Sequence, residues 1–94
     1  MTVINRNPIF GNYIRNERLN QNIGLRNFAQ LCNIDLPRWS RTEGGYEPPT
    51  EEELRKVADY LNLPLETLIQ KNNQTKYIPF DYDKEFRQLL IEKK

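Results

Sequence analysis

Residues 23–45 have the sequence IGLRNFAQLCNIDLPRWSRTEGG, which predicts two short helices joined by a tight turn. The first helix carries apolar residues at helical spacing, namely Leu25, Phe28, Ala29 and Cys32. It is predicted to end at Asn33, because asparagine tolerates the left-handed conformation that many helix ends need. Asp35 then has a side chain that can cap the next helix. The stretch therefore predicts a helix, a turn and a second helix.

The second of these helices is predicted to have two different faces. Trp39 is its one large apolar residue and is expected to lie in the core. Arg38 and Arg41 lie three residues apart on another face, so both are expected to point away from that core. A helix with this arrangement is typical of one that enters a DNA groove.

Four stretches of the chain follow one another in an order that is typical of one known family. They are FGNYIRNERL at 10–19, LRNFAQLCNID at 25–35, WSRTEGG at 39–45 and PPTEEELRKVADYLNLPLETLI at 48–69. With them the chain resembles the helix-turn-helix repressors of the Cro and phage-repressor type, the XRE family. The resemblance implies an all-α, five-helix lambda-repressor-like domain that binds double-stranded DNA and regulates transcription, with repression expected. It also implies a structural ion pair between Arg18 and Glu43.

The other helices of the domain have recognisable first residues. Asn7 and Pro8 predict the start of the first helix, with proline at the first helical position. Thr50 and Glu53 have the spacing of a capping box, and Pro64 precedes a short fifth helix. The apolar residues expected to face the core from these last two helices are Leu54, Val57, Ala58, Leu61, Leu65, Leu68 and Ile69.

The pattern divides the chain into three parts. Residues 1–8 are predicted to be an N-terminal arm, 9–71 the helix-turn-helix domain, and 72–94 a linker followed by a C-terminal helix over 83–92. The tail is more apolar than a disordered terminus, with Tyr77, Ile78, Phe80, Tyr82, Phe86, Leu89 and Leu90. It either pairs two chains into a homodimer or packs on the first and fifth helices of its own chain.

The resemblance places Leu36, Pro37, Arg38 and Arg41 at positions where the family contacts base edges. Leu36 and Pro37 cannot form the paired hydrogen bonds that discriminate bases, but either can contact a thymine methyl group. Arg41 can donate two hydrogen bonds to guanine and is expected to carry most of the direct recognition. Arg38 contacts either a base or a phosphate.

Two further DNA contacts are implied outside that helix. Arg26 lies at the start of the second helix, where the family crosses the DNA backbone, although a solvated surface position explains it too. Gly24 stands where the family usually has a Ser or Thr cap, so this helix start is expected to be looser. Tyr46, in the loop GGYEPP, can donate to a phosphate that Glu47 would repel. A plain turn explains this loop almost as well.

Composition predicts one small cytoplasmic domain. A chain of 94 residues can bury one modest core, and its net charge of +1 argues against non-specific coating of nucleic acid. Residues 9–49 contain five basic and four acidic residues, so any basic face is small and belongs to this half. The single cysteine, Cys32, lies on an apolar face and is predicted to be a buried small residue. No apolar run reaches the length of a membrane span.

An enzyme is not expected. The chain has no histidine, no glycine-rich phosphate cradle and no cysteine set for a metal, so no cofactor, metal or small-molecule ligand is predicted. A protein-binding module is the main alternative, because near-neutral charge with Leu36 and Pro37 exposed also fits an apolar partner. An antitoxin that represses its own operon, which the resembled family includes, is a further alternative.

Overall fold

The computed structural model describes residues 8–79, and within this range the chain is all-α with five helices and no strand. The helices are α1 (Ile9–Asn20), α2 (Leu25–Leu31), α3 (Leu36–Glu43), α4 (Glu51–Leu61) and α5 (Leu65–Asn73). The predicted all-α, five-helix fold is confirmed, and α2 and α3 form its helix-turn-helix-like pair. Of the predicted arm only Pro8 is described, and the predicted C-terminal helix over 83–92 lies outside the described residues.

The turn between α2 and α3 follows the local rules that its sequence suggests. Asn33 has a φ of 55°, in the left-handed region, and the Ile34 amide donates to the carbonyl of Ala29 at 2.8 Å. The Asp35 carboxylate accepts a hydrogen bond of 3.1 Å from the backbone amide of Arg38. Both predictions for this turn are confirmed, and together they fix where α3 begins.

The starts of α4 and α1 differ in their capping. The Glu53 amide donates to the Thr50 hydroxyl at 3.1 Å and the Thr50 amide to the Glu53 carboxylate at 2.8 Å, so the predicted capping box is confirmed. Pro8 is the N-cap of α1 and not its first helical residue, a difference of one position from the prediction. Its ψ of 82° lies outside the helical region, while its carbonyl already accepts from the Asn12 amide at 2.7 Å.

The core is built around Trp39, as predicted. Its side chain is fully buried, with the ring of Phe10 from α1 and that of Phe28 from α2 each centred 6.1 Å away. The other buried apolar residues packed in this cluster are Ile14, Cys32, Leu54, Val57, Ala58, Leu61 and Leu68. Because Trp39 belongs to α3, the inner face of α3 is anchored between α1 and α2.

The close crossing of α1 and α3 sets the depth of α3 in the domain. A Cβ atom on Gly11 would lie 2.0 Å from the backbone oxygen of Glu43, so only glycine allows the two helices to approach this closely. The buried Glu43 carboxylate accepts from Arg18 at 3.0 and 2.9 Å and from the indole Nε1 of Trp39 at 2.8 Å. The predicted Arg18–Glu43 pair is therefore confirmed, and the indole is a third member of it.

The chain after α4 packs on the domain farther than its sequence suggests. α5 ends at Asn73, beyond the boundary predicted at residue 71, and Thr75 is buried. The Ile78 amide donates to the carbonyl of Gly45 at 2.9 Å. Ile69 is 40% exposed, so its predicted inward position is wrong, whereas Leu68 is fully buried. α5 packs against α1 and α4 through a stripe too narrow to include both residues.

No helix in residues 8–79 is long and apolar enough to cross a membrane.

Candidate nucleic-acid interface

The two faces of α3 are separated as the sequence predicts. Trp39, Thr42 and Glu43 are buried on the inner face. Pro37 and Arg41 are exposed on the outer face, whereas Leu36 and Arg38 are partly buried. The outer face also carries Ser40, which the sequence argument did not single out. Ser40 lies three residues after Pro37 and immediately before Arg41. Its position on the outer face can therefore be predicted from helical spacing alone.

Arg38 is a brace between α3 and α4. Its Nε and Nη2 each donate to the Glu53 carboxylate at 3.1 Å, and its Nη2 also donates to the carbonyl of Pro48 at 3.0 Å. Its Nη1 donates to Glu47 at 2.5 Å. The hydrogen bonds that Arg38 donates to Glu53, with a further contribution from Glu47, raise the pKa of Arg38 above its ordinary value. Contact of Arg38 with a base or a phosphate would therefore require breaking a network within the domain.

Arg41 is more accessible than Arg38. Its side chain is 47% exposed, and its Nε donates to Oε1 of Glu47 at 2.8 Å. Glu47 thus contacts both arginines of α3 with its two carboxylate oxygens. The sequence predicts that Arg38 and Arg41 share a face, but it gives no sign of this shared carboxylate.

The loop between α3 and α4 folds back onto the end of α3. The Tyr46 amide donates to the carbonyl of Arg41 at 2.9 Å, and Tyr46 is partly buried. A Cβ atom on Gly44 would lie 2.8 Å from a carbon of the Tyr46 ring, so this glycine leaves room for the ring. The loop conformation carries the carboxylate of Glu47, the next residue, to the outer face of α3. Tyr46 therefore lies beside α3.

Arg26 is exposed in the first turn of α2, and α2 packs against α3. The N-cap of α2 is Gly24, whose backbone is extended and which supplies no side-chain hydrogen bond. The looser start expected from a glycine at this position is consistent with that absence. Arg26 and Arg41 therefore belong to two helices in direct contact, and both are exposed.

Charge on the outer side of α3 is close to balanced. Arg38 and Arg41 are paired with Glu47 and Glu53. On the α1 side, the half-exposed Arg15 lies 3.9 Å from the Glu43 carboxylate that already pairs with Arg18. Within residues 8–79, no group of three or more His, Cys, Asp or Glu side chains is arranged to hold a metal ion. The chemistry available on α3 is thus hydrogen bonding by Arg41 and Ser40 and apolar contact by Pro37.

Comparisons of the chain with protein-family models, with curated proteins and with solved structures gave no match. A function for α3 is therefore inferred from its own residues and contacts.

Proposed function

We propose that this protein is a sequence-specific, double-stranded-DNA-binding regulator of transcription of the XRE type, with α3 entering the major groove. The observation that carries the proposal is the division of α3 into two faces. Trp39 and Glu43 anchor its inner face, while Pro37, Ser40 and Arg41 are exposed on the other. A major groove about 12 Å wide admits one such helix.

Each residue on the outer face has a role that follows from its chemistry. Arg41 donates a two-pronged hydrogen bond to guanine, and the Ser40 hydroxyl bonds a base edge or a phosphate. Pro37, and the partly buried Leu36 beside it, contact a thymine methyl group. Arg38 contributes indirectly, because its bonds to Glu53 and Pro48 hold the orientation of α3 relative to α4.

The contacts outside α3 bind the phosphate backbone. Arg26 lies in the first turn of α2, the helix that packs on α3, and is proposed to contact one phosphate. Tyr46, in the loop that follows α3, is proposed to donate to another. These contacts set the register of α3 in the groove and carry no sequence information of their own.

Two copies are proposed to bind one operator. A single helix-turn-helix unit covers one half-site, and regulators of this kind gain specificity by pairing two units about 34–36 Å apart. The C-terminal tail is the proposed pairing segment, since residues 77–90 are rich in apolar side chains.

Fluorescence anisotropy with a labelled random-sequence duplex of about 20 base pairs tests the proposal, since this length spans two half-sites. We expect binding at about 50 mM salt that weakens roughly tenfold near 200 mM, the loss for two charged phosphate contacts, one Arg26 from each copy. Selection from genomic fragments then yields the best site. On that site Arg41→Ala is expected to cost about 1–3 kcal/mol of binding free energy.

The matched control for Arg41→Ala is Arg55→Ala. Arg55 is an exposed arginine of α4 that pairs with Glu51 at 2.6 Å, so its removal makes the same change in net charge away from α3. Arg55→Ala is expected to leave site preference unchanged. Absence of any duplex binding at low salt, or equal losses for the two variants, would overturn the proposal.

A second candidate function is supported by exposed apolar side chains around the helix-turn-helix. Leu31, at the end of α2, is 59% exposed, and Pro37 is exposed at the start of α3. A protein partner with an apolar surface could cover these residues. This alternative would be favoured if the protein fails to bind any duplex but forms a complex with another protein. Leu31→Ser and Pro37→Ser should then abolish that complex. An antitoxin function is distinguished by the gene beside this one.

A further inference from the structure

We infer that Glu47 limits the affinity of α3 for DNA by competing with the DNA for Arg41. The inference rests on the proposed function, because it concerns the residue proposed to make the main base contact. It assigns to a loop carboxylate the role of an affinity-determining residue.

The two arginines that Glu47 contacts depend on it to different degrees. Arg38 keeps the Glu53 carboxylate and the Pro48 carbonyl as partners when Glu47 is removed. Among the described ion pairs, Glu47 is the acidic partner of Arg41. Removal of the Glu47 charge therefore releases Arg41 while Arg38 stays in place.

The Arg41–Glu47 pair is exposed enough to open when a ligand arrives. The two side chains are 47% and 38% exposed, and an exposed ion pair contributes little to stability because water and salt screen it. A carboxylate on the outer side of α3 also repels a nearby phosphate. Every duplex must therefore overcome this repulsion, and a duplex that engages the whole Arg41 guanidinium must also displace the carboxylate.

The cost of the exchange differs from one duplex to another. A duplex that offers guanine at the right position replaces the Glu47 bond with two hydrogen bonds to the base. A duplex without that guanine forms weaker hydrogen bonds with Arg41, so the arginine remains paired with Glu47. The carboxylate thus takes the full cost of opening the pair from binding to the right sequence, and no more than this cost from binding to other sequences.

Glu47→Gln and Glu66→Gln are the matched variants that test this inference, since each raises the net charge by one. Glu66 is exposed on α5, which packs against α1 and α4. With the random-sequence duplex at low salt, Glu47→Gln is expected to bind about two- to fivefold more tightly than Glu66→Gln, the range that an exposed ion pair permits. Its plot of log affinity against log salt is expected to steepen by about 0.9 per bound chain, which corresponds to one more phosphate contact from each copy.

A double-mutant cycle separates occupation of Arg41 from general repulsion. In an Arg41→Ala background, Glu47→Gln is expected to keep only the smaller gain that comes from the lost repulsion of phosphate. A gain of undiminished size in that background would overturn the inference. Glu47→Ala serves as a second neutral variant, with thermal melts to show that both variants fold.

The failure of this inference can be distinguished from failure of the proposed function. If the wild-type protein binds duplex DNA and Glu47→Gln matches Glu66→Gln, the inference alone is wrong. If neither the wild-type protein nor any variant binds, the proposed function falls and the inference falls with it.

Discussion

The hydroxyl of Thr75 accepts a 2.8 Å hydrogen bond from the backbone amide of Phe10, so the end of the described chain caps the start of α1. α1 needs this partner because its N-cap, Pro8, has no side-chain acceptor for the free amides of the first turn. Thr75 also donates to the carbonyl of Lys71 at 2.9 Å, which orients its oxygen toward Phe10. The first and last described helices are therefore joined by one buried hydroxyl.

Thr75→Val should destabilise the fold by about 1–3 kcal/mol, because it keeps the shape of the side chain but leaves the Phe10 amide buried without a partner. Thr75→Ser retains the hydroxyl and is the control, with an expected loss of less than about 1 kcal/mol. Urea denaturation monitored by the fluorescence of Trp39 gives both values. Equal losses for Val and Ser would show that the hydrogen bond contributes nothing.

Glu43→Ala should destabilise the protein by about 3–5 kcal/mol, because it leaves the buried Arg18 guanidinium without its carboxylate and the Trp39 indole without an acceptor. Glu51→Ala removes a carboxylate from an exposed pair with Arg55 and should cost at most about 1 kcal/mol. The same urea titration compares the two variants. A small loss for Glu43→Ala would mean that the Arg18–Glu43 pair does not fix α3 against α1.

The thiol of Cys32 should react slowly in the folded protein. Burial raises the pKa of this thiol from 9.0 to about 11, against a small opposing effect of Lys56. At pH 8 the folded protein therefore holds about one hundredfold less thiolate than the unfolded chain. Since the chain has one cysteine, a thiol–disulfide exchange reagent reports on Cys32 alone. Equal rates for folded and urea-unfolded protein would contradict the burial of this side chain.

The same pKa shift makes stability depend on alkaline pH. Because the folded-state pKa of Cys32 is about 11 and the exposed value is 9.0, the associated stability is fully present below pH 9.0 and is lost as the pH rises toward about 11. Cys32→Ala should be less stable at neutral pH but should lack this part of the alkaline slope. Thermal melts across this pH range measure the difference, and identical slopes would argue against the shift.

Arg26→Ala should weaken binding to all duplexes alike and lower the salt dependence by about one phosphate contact. Arg41→Ala should instead relax preference at one base pair, since it removes a base contact. Anisotropy titrations against the selected site and against random duplex, at two salt concentrations, separate the two effects. A sequence-dependent loss for Arg26→Ala would reverse the proposed roles of α2 and α3.

A chain that ends at residue 79 tests the proposed homodimer. It keeps the contacts of Thr75 and Ile78 with the rest of the domain, so it should fold. If the tail pairs two chains, the shortened protein should be monomeric and should bind a two-fold operator far more weakly. Sedimentation at tens of micromolar, roughly the scale of weak association, gives the oligomeric state. A full-length protein that is already monomeric there would rule out pairing through the tail.

Local signals predicted much of the fold. Three features each involve residues only a few positions apart, so they can be recognised from sequence spacing alone. They are the left-handed turn at Asn33, the cap at Asp35 and the capping box of Thr50 and Glu53. Burial of Trp39 followed from amphipathic periodicity in the same way. Periodicity was too coarse for Ile69, because it gives the direction of a helix face and not the width of the stripe that a neighbour covers.

The candidate site was less predictable because its contacts depend on tertiary structure. Spacing identified Arg38 and Arg41 as neighbours on α3, but their partner Glu47 approaches them only because the loop after α3 folds back. The cap of α1 by Thr75 joins residues that are 65 positions apart. No local rule connects such pairs. The sequence therefore identified the two arginines of α3 but not the carboxylates that pair with them in the structure.

The Glu53 carboxylate accepts hydrogen bonds from two elements, and this couples the first turn of α4 to α3. It completes the N-terminal cap of α4 through the Thr50 amide, and it also receives both Nε and Nη2 of Arg38 from α3. A ligand that draws Arg38 away from Glu53 therefore also disturbs the carboxylate that caps the first turn of α4. Substitutions at Arg38 and at Thr50 should be energetically coupled although the two side chains belong to different elements. Hydrogen exchange in the first turn of α4 can thus report on events at the outer face of α3.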